Sequence, residues 1–159
     1  MEKVLLIDSR EPLIFAERIA EVCPIPISIE QLDTGDFVCE DICIERKEIS
    51  DLAASIIDTR LFTQCERMQE QFPDGHYLLI HGRLEDVTVR INPHAIIGAI
   101  AKMASLGTKI IWVCFDNEEH LIYLILKILE WNGKLVMIKP KKAKKAEEGE
   151  EDPPFFKMV

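Results

Sequence analysis

The sequence has no excess of positive charge. Nineteen lysines and arginines stand against 28 aspartates and glutamates, a formal net charge of −9. Taken alone, that balance argues against a nucleic-acid coat, because non-specific DNA binding is driven by Lys and Arg neutralising phosphates. It stays compatible with an enzyme that gathers carboxylates around a cation. Paired cysteines are missing too. Cys23, Cys39, Cys43, Cys65 and Cys114 are scattered and no C-x-x-C occurs, which removes the zinc ribbon and the thioredoxin-type motif. These cysteines read as small, buried, reduced side chains of an intracellular protein. His76, His81, His94 and His120 form no H-x-x-x-H metal spacing and are assigned structural or surface roles. The longest apolar stretch, residues 121–129, contains Lys127 and falls far short of a membrane span. The start, Met1-Glu2-Lys3, is too acidic, and the apolar run after it too short, for a secretory signal. There is no internal repeat.

What is present is an ordinary globular mix, 159 residues with 48 % hydrophobic and 30 % charged, enough for one domain with a core of its own. Residues 4–7 are a continuous apolar run, read as a buried strand ending at Asp8. Pro12 opens a helix that must stop before Cys23-Pro24. Residues 25–32 are extended. Residues 35–39 and 42–47 form a hairpin across Glu40-Asp41. Ser50 is expected to cap one long helix over residues 51–71. Residues 77–80 are a strand, Asn92-Pro93 starts a helix ending at Gly107, and residues 109–115 are a strand. Asp116 or Asn117 caps a helix to Trp131, and residues 134–139 are expected to add a short strand. Strands alternating with helices indicate a three-layer α/β/α domain with a mixed central sheet, residues 1–139. Residues 140–159 hold five basic and five acidic residues and read as a charged, disordered tail. The −9 therefore belongs to the folded part.

The last helix is apolar nearly all round, with Leu121, Ile122, Tyr123, Leu124, Ile125, Leu126, Ile128 and Leu129. A helix apolar on every side is buried on every side, and a small domain covers only one face. Two readings follow, a helix wholly internal to the domain or a second subunit; the second is preferred and predicts a two-fold homodimer.

Acidic residues stand at strand ends and in the hairpin: Asp8 with Glu11, then Asp36, then Glu45. Side chains alternate along a strand, so Cys43, Glu45 and Lys47 share one face, with Asp36 opposite on the paired strand. Carboxylates with a lysine at this spacing suit metal-assisted phosphodiester hydrolysis. Hard oxygen ligands hold Mg²⁺ or Mn²⁺, the metal activates a water, and the lysine stabilises charge.

Gly35-Asp36 followed by Glu45-Arg46-Lys47-x-x-x-Asp51 resembles the GD…ERKxxxD signature of the XPF/Hef family of structure-specific DNA endonucleases. Asp8-Ser9-Arg10-Glu11 resembles that family's D-x-R-E. The segment from Ser55 through Arg60 to Gln64, and Asn92-Pro93-His94-Ala95-Ile96, are similar to its later parts, the last closest to the archaeal Hef nuclease domain. The resemblance covers roughly residues 3–135. It implies a restriction-endonuclease-like fold, a divalent cofactor (Mg²⁺ or Mn²⁺), and cleavage of one strand near branch points such as flaps and forks. Asp8, Asp36 and Glu45 would be metal ligands, with Glu11 supporting the metal shell. Lys47 would be the catalytic lysine, and Arg46 and Asp51 would orient the site through an ion pair. Arg10 and Arg60 would contact DNA phosphate and Gln64 would line the site. It further implies a DNA-associated location and dimerisation through the C-terminal helices. Family members usually carry a helix-hairpin-helix module after this domain, where this chain has its tail. The alternative is a non-catalytic or partner-dependent scaffold subunit of a nuclease complex. Non-catalytic subunits typically lose the acidic and lysine positions that are intact here, whereas the lack of a helix-hairpin-helix module suits one that relies on a partner to reach DNA. Phe155 and Phe156 resemble the aromatic pair of a sliding-clamp-binding peptide.

Overall fold

The structure, a computed structural model, describes residues 2–137. In chain order the elements are β1 (Leu5–Asp8), α1 (Leu13–Val22), β2 (Ile27–Glu30), β3 (Phe37–Cys39) and β4 (Ile42–Glu48). Then come α2 (Ile49–Ile57), α3 (Arg60–Gln71), β5 (His76–His81), α4 (Pro93–Ser105), β6 (Lys109–Val113) and α5 (Glu118–Trp131). The strands pair into one six-stranded sheet in the order β2-β1-β3-β4-β5-β6. Only β3 runs against its neighbours; β1–β2, β4–β5 and β5–β6 are parallel. The expected three-layer α/β arrangement is present.

Both faces of the sheet are covered, which explains why its parallel strands read as unbroken apolar runs. Leu5, Ile7, Ile44 and Leu79 face α1 and α5, where Phe15, Ile19, Ile125 and Leu129 pack on them. Cys43, Leu78 and Ile80 face α2, α3 and α4, against Leu52, Leu61, Met68 and Ile96. The alternation along β4 and β5 is the period-2 geometry of a strand. Because β3 is the only reversed strand, the carboxyl ends of β1, β4 and β5 and the amino end of β3 gather at one edge. That edge carries Asp8, Asp36, Lys47 and His81, in the position where open α/β sheets bind ligands.

Three local expectations are corrected. The single helix expected over residues 51–71 is two helices, broken at Asp58-Thr59, where Thr59 takes a left-handed φ of 61°. The break lets α3 turn back so that Leu61, Cys65 and Met68 reach the core beside α2. Ser50 is not the cap. It lies inside the first turn of α2, where its hydroxyl donates to the Asp86 carbonyl and accepts from the Thr88 N–H, tying down the loop after β5. Residues 134–137 form no strand. Lys134 pairs with Asp41 at 2.6 Å and Glu40 at 3.4 Å, Leu135 is buried, and the Met137 N–H donates to Glu130, so the segment straps the hairpin turn to α5. The tail over residues 140–159, with Phe155 and Phe156, lies outside the described residues.

The apolar girth of α5 is largely absorbed by the chain itself: Leu121, Ile122, Ile125, Leu126, Ile128 and Leu129 are all buried. Tyr123 and Trp131 remain, 61 % and 68 % exposed.

A β-branched residue in left-handed backbone is strained by about 1–2 kcal/mol, a conformation that Asn tolerates better. Thr59→Asn is therefore expected to raise stability by about 0.5–1 kcal/mol, read as a higher urea midpoint. A lower midpoint would show that the hydroxyl bond from Thr59 to the Asp58 carbonyl outweighs the backbone strain.

Candidate functional site

Asp36 is set by its backbone. Gly35 has φ +79°, and a Cβ there would fall 2.3 Å from the Cys43 sulfur, so no other residue fits between β3 and β4. The Asp36 carbonyl accepts from the Asp8 N–H and its own N–H donates to the Ile44 carbonyl, at 2.8 and 2.9 Å. Its carboxylate accepts from the Arg46 backbone N–H at 2.9 Å. Its carboxyl lies beside that of Glu45, and the two acids are electrostatically linked.

Burial, and then the charges of Glu45 and Glu11, push the Asp36 carboxyl well above the ordinary range. Burial also raises Glu45, with Lys47 opposing. Lys47 and Glu45 share the face expected for them, with Nζ 3.9 Å from the Glu45 carboxylate. The Gln64 carbonyl oxygen on α3 accepts from Lys47 Nζ at 2.9 Å. Gln64 thus acts as the aiming partner of the lysine. The neighbouring thiols are chemically quiet, since burial pushes Cys43 up to about 12 and Cys65 up to about 11.

Asp8 is differently engaged. It is 4 % exposed, which alone would raise its pKa, but Arg10 and the Leu32 N–H hold it below the ordinary value. Arg10 Nε donates at 3.0 Å and the Leu32 N–H at 2.9 Å. Arg10 Nη2 also reaches the Leu32 carbonyl. Among the described residues, no group of three or more His, Cys, Asp or Glu side chains is arranged to hold an ion. Asp8, Asp36 and Glu45, expected as ligands, line one cleft together, and there the Asp8 carboxylate is engaged by Arg10. The pair Asp36–Glu45 does fit a hard divalent cation: two adjacent oxygen donors under mutual repulsion, open to water on either side. Mg²⁺ commonly takes one or two protein carboxylates and completes its sphere with water and phosphate.

Two open clefts meet at that pair, of about 300 and 360 Å³, sharing Arg10, Asp36 and Glu45. Gln64 and Arg67 line the first; Lys47, Asp51 and Arg60 line the second. Arg60 is exposed and paired with Asp58 at 3.1 Å. Arg46 does not pair with Asp51 as expected. It lies on the opposite face of β4, where its guanidinium donates to Glu11 at 2.7 and 3.2 Å and stacks 4.7 Å from the Phe15 ring centroid. Its Nη1 lies 2.7 Å from His81 Nε2, and His81 Nδ1 lies 2.7 Å from the Asp116 carboxylate. Sequence reasoning missed His81 and Asp116. The available signal was a polar residue ending an apolar strand immediately before a glycine, as at Asp8 a polar residue ends β1.

Comparison with known proteins decides the lineage. The ERCC4 domain matches residues 7–127. The chain belongs to the ERCC4 domain family. It is 39 % identical over 74 residues to a DNA repair endonuclease XPF from Drosophila melanogaster, covering 43 % of this chain and 7 % of that protein. It is 32 % identical over 83 residues to the 3'-flap repair endonuclease Xpf of Saccharolobus solfataricus, covering 50 % and 34 %. The chain thus spans a minor part of these relatives. In fold it is similar to XPF from Aeropyrum pernix, with TM-score 0.66 and 23 % identity, covering 91 % of this chain and 71 % of that one. The same protein in complex with DNA gives TM-score 0.65 at 21 % identity, covering 91 % and 70 %. The mixed α/β sheet with flanking helices is therefore shared with these XPF structures, as the motifs implied.

The strained carboxylate pair has a thermodynamic signature. A carboxyl whose folded pKa is raised binds its proton more tightly folded than unfolded. Its stabilising effect is full in acid and is lost as pH rises from the ordinary carboxylate range through the raised value. Asp36→Asn is expected to match wild type near about pH 4 and to exceed it at neutral pH by on the order of 1 kcal/mol. Mg²⁺ should raise the wild-type melting temperature more than that of Asp36→Asn. Equal stabilities at neutral pH with equal metal responses would show that the pair is not under strain.

Proposed function

We propose that this ERCC4 domain is the nuclease domain of a divalent-metal-dependent, structure-specific DNA endonuclease that cuts one strand near branch points during repair or replication-fork processing. The observation that carries this reading is the Asp36–Glu45 pair, raised in pKa and flanked by two open clefts, with Lys47 aimed beside it by Gln64. Asp36 and Glu45 would hold Mg²⁺ or Mn²⁺. When bound, the ion supplies an activated water and charge neutralisation at the scissile phosphate. Lys47 offsets charge that develops on the phosphate oxygens. Arg10, Arg60 and Arg67 line the clefts and would contact the DNA backbone, where such contacts give register and salt dependence but no sequence preference. The endonuclease relatives and the DNA-bound structural neighbour support this assignment. Among the described residues no helix is long and apolar enough to cross a membrane. The scaffold reading draws no support from a site whose acidic and lysine positions are all in place.

Wild-type protein with Mg²⁺ or Mn²⁺ is expected to nick flap and fork DNA in preference to plain duplex. Chelation should abolish the reaction, and Asp36→Asn and Lys47→Ala should lower kcat by about 100-fold or more. Cleavage by Asp36→Asn at the wild-type rate would refute the assignment, as would no metal-dependent cleavage at all.

A homodimer is part of the proposal. Tyr123 and Trp131 on α5 stay exposed, and the open sheet edge at β6 carries Trp112, 39 % exposed. Sedimentation at micromolar concentration is expected to show a two-fold species, weakened by Tyr123→Glu. A monomer at every concentration would remove this part.

A further inference from the structure

Four side chains form a chain of contacts behind the carboxylate pair. Glu11 accepts twice from Arg46, Arg46 Nη1 reaches His81 Nε2 at 2.7 Å, and His81 Nδ1 reaches Asp116 Oδ1 at 2.7 Å. His81 is buried, at 4 % exposure. It ends β5 beside β4, with Glu48 as its register partner. The loop after β6 brings Asp116 over it. Gly82, at φ +107°, leaves that loop room, since a Cβ there would sit 3.5 Å from Asp116 Oδ1 and 2.8 Å from Ile49. The Gly82 carbonyl is pinned by the Trp112 indole N–H at 3.0 Å.

The proton positions follow from the chemistry of the groups. A guanidinium has five N–H donors and no acceptor. The nitrogen facing it must therefore be bare, so His81 Nε2 accepts from Arg46. The single proton of a neutral imidazole is then on Nδ1, where it donates to Asp116, an acceptor at 2.7 Å. Both contacts demand the same tautomer. The partner of each ring nitrogen sets the state of the other.

We propose that His81 and Asp116 are positioning residues of the proposed nuclease site. Neutral His81, protonated on Nδ1 and oriented by Asp116, holds Arg46 in place. Arg46 in turn holds the Glu11 carboxylate at the second cleft through its side chain and Asp36 through its backbone N–H. His81 touches no substrate and acts through Arg46. The proposal rests on the nuclease reading for its kinetic consequence, and on the geometry alone for the tautomer.

The two ring nitrogens can be tested separately. A Gln side chain at position 81 reaches as far as Nε2 and still offers Arg46 an acceptor. An Asn side chain reaches only as far as Nδ1, keeping a donor for Asp116 and losing Arg46. His81→Asn is expected to lower kcat by about 10–100-fold with DNA affinity in the absence of divalent metal unchanged. His81→Gln is expected to recover at least part of that loss, although both variants unfold at similar urea concentrations. Nitrogen-15 spectra of the wild-type imidazole should show a neutral ring protonated on Nδ1 at neutral pH, and Asp116→Asn should shift them. An Nε2-protonated or cationic ring would overturn the proposal. Equal losses in the Asn and Gln variants, tracking stability, would overturn it as well, as would wild-type kcat in His81→Asn. Failure of the wild type to cut any branched DNA would count against the nuclease reading instead, and the imidazole spectrum would still decide the relay.

Discussion

Two carboxylates sharing one desolvated spot organise this domain. Asp36 and Glu45 are brought together by backbone that leaves no alternative: a left-handed Gly35, the Cys43 sulfur filling the place of a side chain, and the Arg46 N–H fixing the Asp36 carboxylate. Isolated acids of this kind would stand apart and ionise. Held together, both are pushed above the ordinary carboxylate range, each by its own burial before its neighbour's charge is counted. Strain of this sort persists where the surrounding structure over-determines it. Here a mixed sheet covered on both faces supplies that rigidity, and a divalent cation would relieve the repulsion.

The net charge of −9 looks different once the residues are placed. An acidic total argues against a general DNA-binding surface. Part of the acidity is concentrated at one sheet edge, however, and arginines sit around it. Arg10, Arg60 and Arg67 line the clefts. Arg46 also borders the second cleft, but its guanidinium is already engaged by Glu11, His81 and the Phe15 ring, so its charge supports the scaffold. An arginine within an acidic motif is thus not automatically a substrate contact; which face of the strand it occupies decides.

The layers, the hairpin and the conjunction of Asp36, Glu45 and Lys47 were legible because they depend on period-2 alternation and on glycine at a turn. What was not legible depends on long-range geometry. The break at Thr59 has no Gly or Pro to announce it; tertiary packing of Leu61 and Met68 against the core overrides local helix propensity. Ser50 carries the composition of a cap, yet its hydroxyl is claimed by a loop 36 residues away in sequence. How much of the girth of α5 is covered from within was not legible, because sequence periodicity cannot tell an internal partner from an external one. Here the internal partners are α1 and the sheet. The ligand role of Asp8 came from its place in the D-x-R-E motif; its pairing with Arg10, two residues along, appears only when the turn between them is built.

The alternation of β4 also explains why an arginine stands between Glu45 and Lys47. Those two face α3, where Gln64 meets the lysine, and the open clefts adjoin them. The intervening residue necessarily faces the other layer, towards α1. A neutral residue there would leave Glu11 and the imidazole of His81 without their common donor. A lysine would offer one charged point rather than a planar fork able to engage a carboxylate and an imidazole at once. The guanidinium meets both, while its own backbone N–H holds Asp36 from the strand's edge. A single residue therefore couples the two faces of the sheet. The face that carries the carboxylate pair and its support need not be separate inventions of the sequence, since one three-residue stretch of strand produces both.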